Sequence, residues 1–322
     1  MNNKFFVKVA VSVGLLIYLL LHLDFNELQA AFDQANLLLA ACIYLTFIFG
    51  TALSSFKWKI LMRAQGMRKP SFSSLWKLYF IGIFFSNFLP TEVGGDVYRA
   101  YAVGKANKNL SKSFVAVFME RITGVLALVI YAVLGLLINW ALAKKINLIY
   151  FIFSGSLMIF ISMWLIFNRD LIKKIRYKIG FKSINNALDK FKEFYDAIYL
   201  YRDKKTALIL SMFISLVFQF YAILYSYCIF KALYIDIPFF NFILFIPVIT
   251  IISLIPISIN SIGLREGAFV YFFTYLGVTV SQSFTVAVFY RIGMVFPSVV
   301  GWIFYILGSN KYYKEEFSKD CL

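Results

Sequence analysis

Seven charged side chains stand in or beside apolar stretches of this chain: Asp96, Arg99, Glu120, Arg121, Arg265, Glu266 and Arg291. An arginine at the centre of a membrane helix costs about 2.5–3.5 kcal/mol on insertion scales, so one kept there marks a substrate path or a bound partner. A guanidinium is a planar fork of donors that fits two phosphate oxygens at once. Arg121 and Arg291, directed at one cavity, would hold a lipid phosphate between them. Arg121 is also near enough to a helix end to snorkel; Arg291 has apolar residues on both sides. Arg99 and Arg265, beside glycine turns, would guide a headgroup inward. Asp96, Glu120 and Glu266 read in two ways. They are counter-ions, because a buried charge needs a partner, or they are acids that receive a cationic headgroup or a coupling proton.

The elements that must carry these groups are broken helices. An apolar stretch from Leu78 to Leu89 runs into Pro90, then Gly94 and Gly95, then Asp96 and Arg99. It has about half the ~20 residues that a bilayer crossing needs. Backbone that enters a membrane and stops there survives only inside protein or beside a wet cavity. Residues 253–267 repeat the pattern: an apolar helix ends at Pro256, turns at Gly263, and carries Arg265 and Glu266. Gly94, Gly95 and Gly263 most simply supply tight turns with φ > 0. Asn87 and Asn260, polar at membrane depth, can bind backbone or substrate.

Composition sets the solvent. Of 322 residues 61% are hydrophobic, mean hydropathy is +0.78 and net charge is +16. Soluble domains are about 45–50% apolar, so the reading is an all-α polytopic integral membrane protein. A β-barrel would show weak alternation instead of apolar runs. The positive charge fits cytoplasmic loops that face anionic lipid, and nucleic acid is not expected as a partner. Cys42, Cys228 and Cys321 have no pairing pattern, and a single histidine, His22, rules out a multi-His metal site. No metal and no cofactor are expected. The first helix lacks an Ala-x-Ala-like cleavage site and reads as a retained anchor.

Along the chain, spans are expected at Phe5–Leu23, Leu37–Phe56, Phe114–Asn139, Leu148–Phe167, Ala207–Leu233, Phe239–Ile257 and Phe284–Leu307. The total is seven or eight crossings, depending on whether 268–278 crosses. One or two Pro/Gly-broken re-entrant segments accompany them. Lys57, Lys59, Arg63, Arg68 and Lys69 are read as one short loop, which the positive-inside rule places in the cytoplasm. Residues 168–206 hold eleven Lys/Arg against five Asp/Glu. There Ile184, Leu188, Phe191, Tyr195 and Ile198 recur at helical spacing. That segment is either an amphipathic helix on the cytoplasmic leaflet or a solvated linker helix.

An internal repeat pairs the two broken motifs. Residues 113–122, SFVAVFMERI, read like 283–292, SFTVAVFYRI, and each lies about thirty residues past its Pro-Gly motif. The repeat halves are 37–140 and 207–308, joined by 168–206 within one domain spanning 1–322. Transporters place substrate sites between such repeats, at discontinuous helices.

At these residues the chain resembles the transmembrane region of the lysylphosphatidylglycerol synthase family, the flippase-like membrane half of MprF-type proteins. The resemblance rests on Pro90 with Gly94-Gly95-Asp96 and Arg99, on Glu120-Arg121, and on Gly263 with Arg265-Glu266-Gly267. It covers essentially the whole chain. It implies a multi-pass protein of a prokaryotic cytoplasmic membrane that moves an amphiphilic lipid between leaflets. In full-length members an aminoacyl-transferase domain follows. This chain ends shortly after its last helix, so translocation is the expected activity, of an aminoacylated phospholipid or a polyprenyl-phosphate carrier. The alternatives are a membrane-embedded lysyltransferase-type enzyme and an accessory subunit of a lipid-modifying enzyme. Membrane lipids are the expected partners; a lipid-modifying enzyme or a second copy of the chain are the candidate protein partners.

Overall fold

The computed structural model describes residues 3–21, 23, 25–67, 71–88, 93–167 and 193–307. Pro90 and the basic stretch 168–192 lie outside them. Residues 193–199 are helical, and twelve further α-helices stand among the described residues. They are α1 (Asn3–Leu21), α2 (Phe25–Gln34), α3 (Leu37–Ala64), α4 (Phe72–Phe88), α5 (Gly94–Ala106) and α6 (Leu110–Ile138). Then come α7 (Trp140–Lys145), α8 (Leu148–Phe167), α9 (Lys205–Ala232), α10 (Phe239–Ser253), α11 (Leu264–Thr274) and α12 (Val280–Ile306). Helices α6, α9 and α12 are long and apolar enough to cross a bilayer, and α1, α8 and α10 hold shorter apolar runs. This is an all-helical polytopic membrane protein. At 11 residues, α11 is about 16 Å long, half of the ~30 Å hydrocarbon core; residues 268–278 are too short to cross alone.

Local chemistry starts the long helices. The Asn36 side chain accepts the Leu39 amide at the head of α3, and Asn109 accepts the Lys112 amide at the head of α6. Thr279 and Gln282 close a reciprocal capping box on α12. Such caps satisfy amides that a helix leaves unpaired.

Helix order and contacts repeat. The series α3, α4, α5, α6 has 28, 17, 13 and 29 residues, and α9, α10, α11, α12 has 28, 15, 11 and 27. α4 packs on α12 as α10 packs on α6, and α3 packs on α9. Within halves, α5 lies on α6 and on α4, as α11 lies on α12 and on α10. Exchanging the halves maps the α3–α9 contact onto itself and each of the others onto its counterpart, the pattern of a pseudo-twofold axis. Two main cores form, one around Trp58, Leu61, Leu78 and Val115, the other around Phe230, Phe242, Phe245 and Phe273, which also takes in Ile43, Ala132 and Leu136 of the first half.

Two expectations change. Lys57, Lys59 and Arg63 belong to the last turns of α3, not to a loop, and Lys57 is buried. An apolar helix can carry them because the lysine finds internal acceptors, described below. Residues 193–203, within the described part (193–206) of the basic segment, pack into the protein: Tyr195, Ile198 and Tyr201 are buried, and Tyr201 donates to the Leu61 carbonyl at 2.8 Å. There the apolar stripe covers the end of α3 and faces neither solvent nor lipid.

Candidate functional site

Charged side chains of α5 and α6 converge where α4 and α5 touch through bare backbone. A Cβ placed on Gly95 would lie 1.8 Å from the Gly82 carbonyl oxygen. Gly95 is inside α5 with an ordinary φ, so its glycine is required by close approach and not by the turn expected from sequence. Gly263 does carry φ +79°, a conformation that favours glycine. The Gly82–Gly95 crossing seats the first turn of α5 against Trp58, Tyr79 and the middle of α6.

There the charges close into a network. Arg99 donates to Asp96 Oδ1 through Nε (3.0 Å) and Nη2 (2.7 Å), and through Nη1 to Glu120 Oε2 (2.7 Å). Arg121 Nε donates to Asp96 Oδ2 at 2.6 Å. Tyr79 donates to Glu120 Oε1 at 3.1 Å. The Arg99 guanidinium stacks 4.5 Å from the Tyr79 ring centroid and 5.1 Å from that of Trp58, distances at which a ring face attracts a cation. Lys57 Nζ donates to the Glu120 backbone carbonyl and to Ser215 Oγ, both at 3.1 Å. Ser215 stands on α9, so the network ties the halves together. Three cations meet two carboxylates.

The second half carries a related but smaller arrangement. Glu266 is the third residue of α11, as Asp96 is of α5, and each acid sits where the helix dipole favours a negative charge. Arg291 pairs with Glu266, and Arg121 with Asp96, across 25 residues in both cases. Arg291 then reaches the carbonyls of Asn260 (3.4 Å) and Ser261 (3.3 Å), while Glu266 Oε2 accepts the Gly263 amide at 2.7 Å. This pair splints the break after α10. Arg265 donates to Ser253 Oγ at 3.1 Å and to Met294 sulfur, and lies 5.6 Å from the Tyr290 ring centroid. Here two cations meet one carboxylate.

The breaks themselves meet. Asn260 Nδ2 donates to Asn87 Oδ1 at 3.0 Å, and Asn87 donates to the Met294 carbonyl and to Ser298 Oγ. Asn87 is thus engaged by protein at both ends of its amide, and Asn260 at its nitrogen. Beside them lies a cavity of about 540 Å³, bounded by α5 and α6 on one side and by residues 253–261 on the other. Its walls are largely apolar, with Val97, Phe114, Val117, Phe118 and Phe194 among them. Asp96, Arg121, Asn260 and Ser258 supply polar groups. The Arg121 side chain, deep in the protein, is 53% exposed there, against 3% for Arg99. Only its Nε is engaged, so the Nη1–Nη2 end makes no hydrogen bond among the described residues. The Ser258 hydroxyl is buried without a partner among the described residues. Asp96 has both oxygens taken by arginines. The cavity therefore offers free donors and no free carboxylate.

Of the thirteen residues expected from sequence, Asp96, Arg121 and Asn260 line the cavity. Arg99 and Glu120 hold the network behind it, and Gly95 sets the helix crossing. Gly263, Arg265, Glu266 and Arg291 build the facing break, Asn87 at the end of α4 bonds to it, and none of the five lines the cavity. Gly94 begins α5, and Pro90 lies outside the described residues. Lys57, Tyr79, Trp58 and Ser258 were not among the expected residues; the signal for Lys57 was its place only one residue beyond an apolar span. Among the described residues no three His, Cys, Asp or Glu side chains converge.

A second basin, about 1120 Å³, adjoins the first; Phe114 and Phe194 line both. Lys105, Lys108 and Lys112 line it together with Glu193 and Asp196.

Comparison with known proteins adds the following. The model of the lysylphosphatidylglycerol synthase TM region matches residues 5–301. Two UPF0104 membrane proteins of Methanothermobacter thermautotrophicus are 23% and 21% identical; the matches cover 91% and 94% of this chain and 91% and 93% of theirs. A UPF0104 membrane protein of Methanocaldococcus jannaschii is 24% identical, over 71% of this chain and 96% of its own. No solved structure matches.

Proposed function

The chain belongs to the lysylphosphatidylglycerol synthase transmembrane-region family, and from that premise we propose that it moves a phosphate-bearing amphiphilic lipid across the cytoplasmic membrane of a prokaryote. One observation carries this reading: a buried charged network opens, through the free end of Arg121, onto an apolar-walled cavity between two broken helices. The apolar walls suit acyl or prenyl chains. The guanidinium end suits two phosphate oxygens. Discontinuous helices at a repeat interface suit a site that must be reached from both leaflets.

The chain's own residues divide the work. Arg121 receives the phosphate. Asp96 holds Arg121 at Nε and so aims its other edge outward. Arg99, Glu120 and Tyr79 fix Asp96 and the register of α5 on α6. Lys57 locks α3 and α9 to the same point. The Asn87–Asn260 contact closes the passage between the two breaks in this state and would part as the halves rock.

The test is a translocation assay in proteoliposomes. Tail-labelled phosphatidylglycerol is reconstituted with the purified chain, and outer-leaflet label is bleached with dithionite. Bleaching beyond half of the label is the expected result. Bleaching that stops at half, as in protein-free vesicles, would remove the reading and leave a lipid-binding scaffold.

A further inference from the structure

We infer that the headgroup this cavity takes is an anionic phosphate without an ammonium group, and that Ser258 reads it together with Arg121. The inference rests on the translocation reading for what happens to the lipid, and on the donor inventory for which lipid it is. The free charged group in the cavity is a donor, the Nη1–Nη2 end of Arg121; beside it, among the described residues, stand only neutral groups, including the unpartnered Ser258 hydroxyl and the Asn260 side-chain oxygen. Both oxygens of Asp96 are already filled by three arginine N–H groups. Glu120 and Glu266 are 5% and 4% exposed and turned to their own partners. An aminoacylated headgroup brings an ammonium, and the cavity has no free carboxylate to pair with its charge. Its Phe114, Phe118 and Phe194 faces are a weaker substitute for a carboxylate.

Charge points the same way. Lys57, Arg99 and Arg121 oppose only Asp96 and Glu120, and Arg265 and Arg291 oppose only Glu266. Each cluster thus holds one cation more than its acids neutralise. Excess charge of one sign in a low-dielectric interior favours a ligand of the opposite sign. The adjoining basin presents three lysines to two acids. A phosphate that accepts from Arg121 and Ser258 satisfies two orphaned donor sets and brings the missing negative charge. A lysyl-bearing lipid adds positive charge to a site already in surplus.

Two measurements test this. The first is thermal stabilisation of detergent-solubilised full-length chain by short-chain phosphatidic acid, phosphatidylglycerol, lysylphosphatidylglycerol and phosphatidylcholine, with inorganic phosphate at equal concentration. A ligand that binds only the folded state raises its melting temperature. Phosphatidic acid and phosphatidylglycerol should stabilise, the lysyl and choline lipids should not, and free phosphate should do far less than phosphatidic acid. Arg121→Lys and Ser258→Ala should each reduce the phosphatidic acid shift, with unliganded melting unchanged. The second is vesicle translocation of the same lipids with tail labels, where the lysyl lipid should move about ten-fold slower than phosphatidylglycerol or worse. Equal or stronger stabilisation by the lysyl lipid overturns the inference even if translocation is seen. Unchanged phosphatidic acid shifts in both variants overturn it as well, and a free-phosphate shift equal to that of phosphatidic acid would make the ligand a soluble phosphate. Selective binding of anionic lipid with no translocation would uphold the inference and defeat the translocation reading instead.

Discussion

The same helix positions are charged in one half of this molecule and aromatic in the other. Lys57 stands 20 residues past the start of α3, and Tyr225 stands 20 past the start of α9. Arg99 and Phe269 are each five past the starts of α5 and α11. Glu120 and Tyr290 are each ten past the starts of α6 and α12. In the first half these positions hold the ion network. In the second they hold touching rings: Tyr225–Tyr290 at 5.4 Å and Phe269–Tyr290 at 5.5 Å between centroids. Aromatic pairs add about 0.5–1.5 kcal/mol beyond their buried area, whereas replacing a buried ion cluster with apolar groups of similar volume is often neutral or stabilising. The second half thus shows that this architecture does not need charge at these points. The first half keeps it, and the phosphate site proposed beside Arg121 would give that charge a use.

The predictions that would break or sharpen this comparison run from large to small. Gly95→Val should have the largest effect. Its side chain would meet the Gly82 backbone, which cannot yield as a flexible side chain can, so α4 and α5 must separate. The expected result is a protein that inserts but melts well below wild type and moves no lipid, measured by thermal unfolding in detergent and by vesicle assay. Glu120→Gln comes next. Without the carboxylate, Arg99 keeps only Asp96, and removing one partner of a buried pair costs about 3–5 kcal/mol. Tyr290→Phe, at the matching position, should cost no more than about 1 kcal/mol. Equal melting temperatures for these two variants would dissolve the distinction between the halves. Asn260→Ala should be milder still. It removes one hydrogen bond to Asn87, about 1 kcal/mol, and should raise the translocation rate by weakening the contact between the breaks.

Much of this was legible in the sequence, and the reasons differ by residue. Composition alone established the membrane fold, because backbone in lipid must be helical or a closed barrel. The broken motifs were legible because Pro, Gly and charge do not otherwise crowd an apolar helix. The matched Arg121 and Arg291 were visible as a repeat, but not their different settings. Whether an arginine meets a cavity or a row of backbone carbonyls is decided by how residues 253–261 fold back, and no local pattern encodes that path. Lys57 was missed because a lysine at the end of an apolar run ordinarily marks a loop. Its burial depends on Ser215, 158 residues away. Ser258 was missed for the same reason: an unpartnered hydroxyl becomes visible only when the surrounding packing is known.

The most direct test compares Arg121→Lys with Arg291→Lys, each measured for lipid translocation and for melting temperature. Lysine keeps the charge and loses the fork. At Arg121, half open to the cavity and free at its Nη end, translocation should fall about ten-fold or more while melting stays near wild type. At Arg291, which splints Asn260 and Ser261 to Glu266, melting should drop and the folded fraction should still move lipid. Contradiction would be the reverse pattern, or loss of translocation in both variants with melting unchanged in both. Either result would put the phosphate on Arg291 as much as on Arg121 and remove the asymmetry on which the account stands.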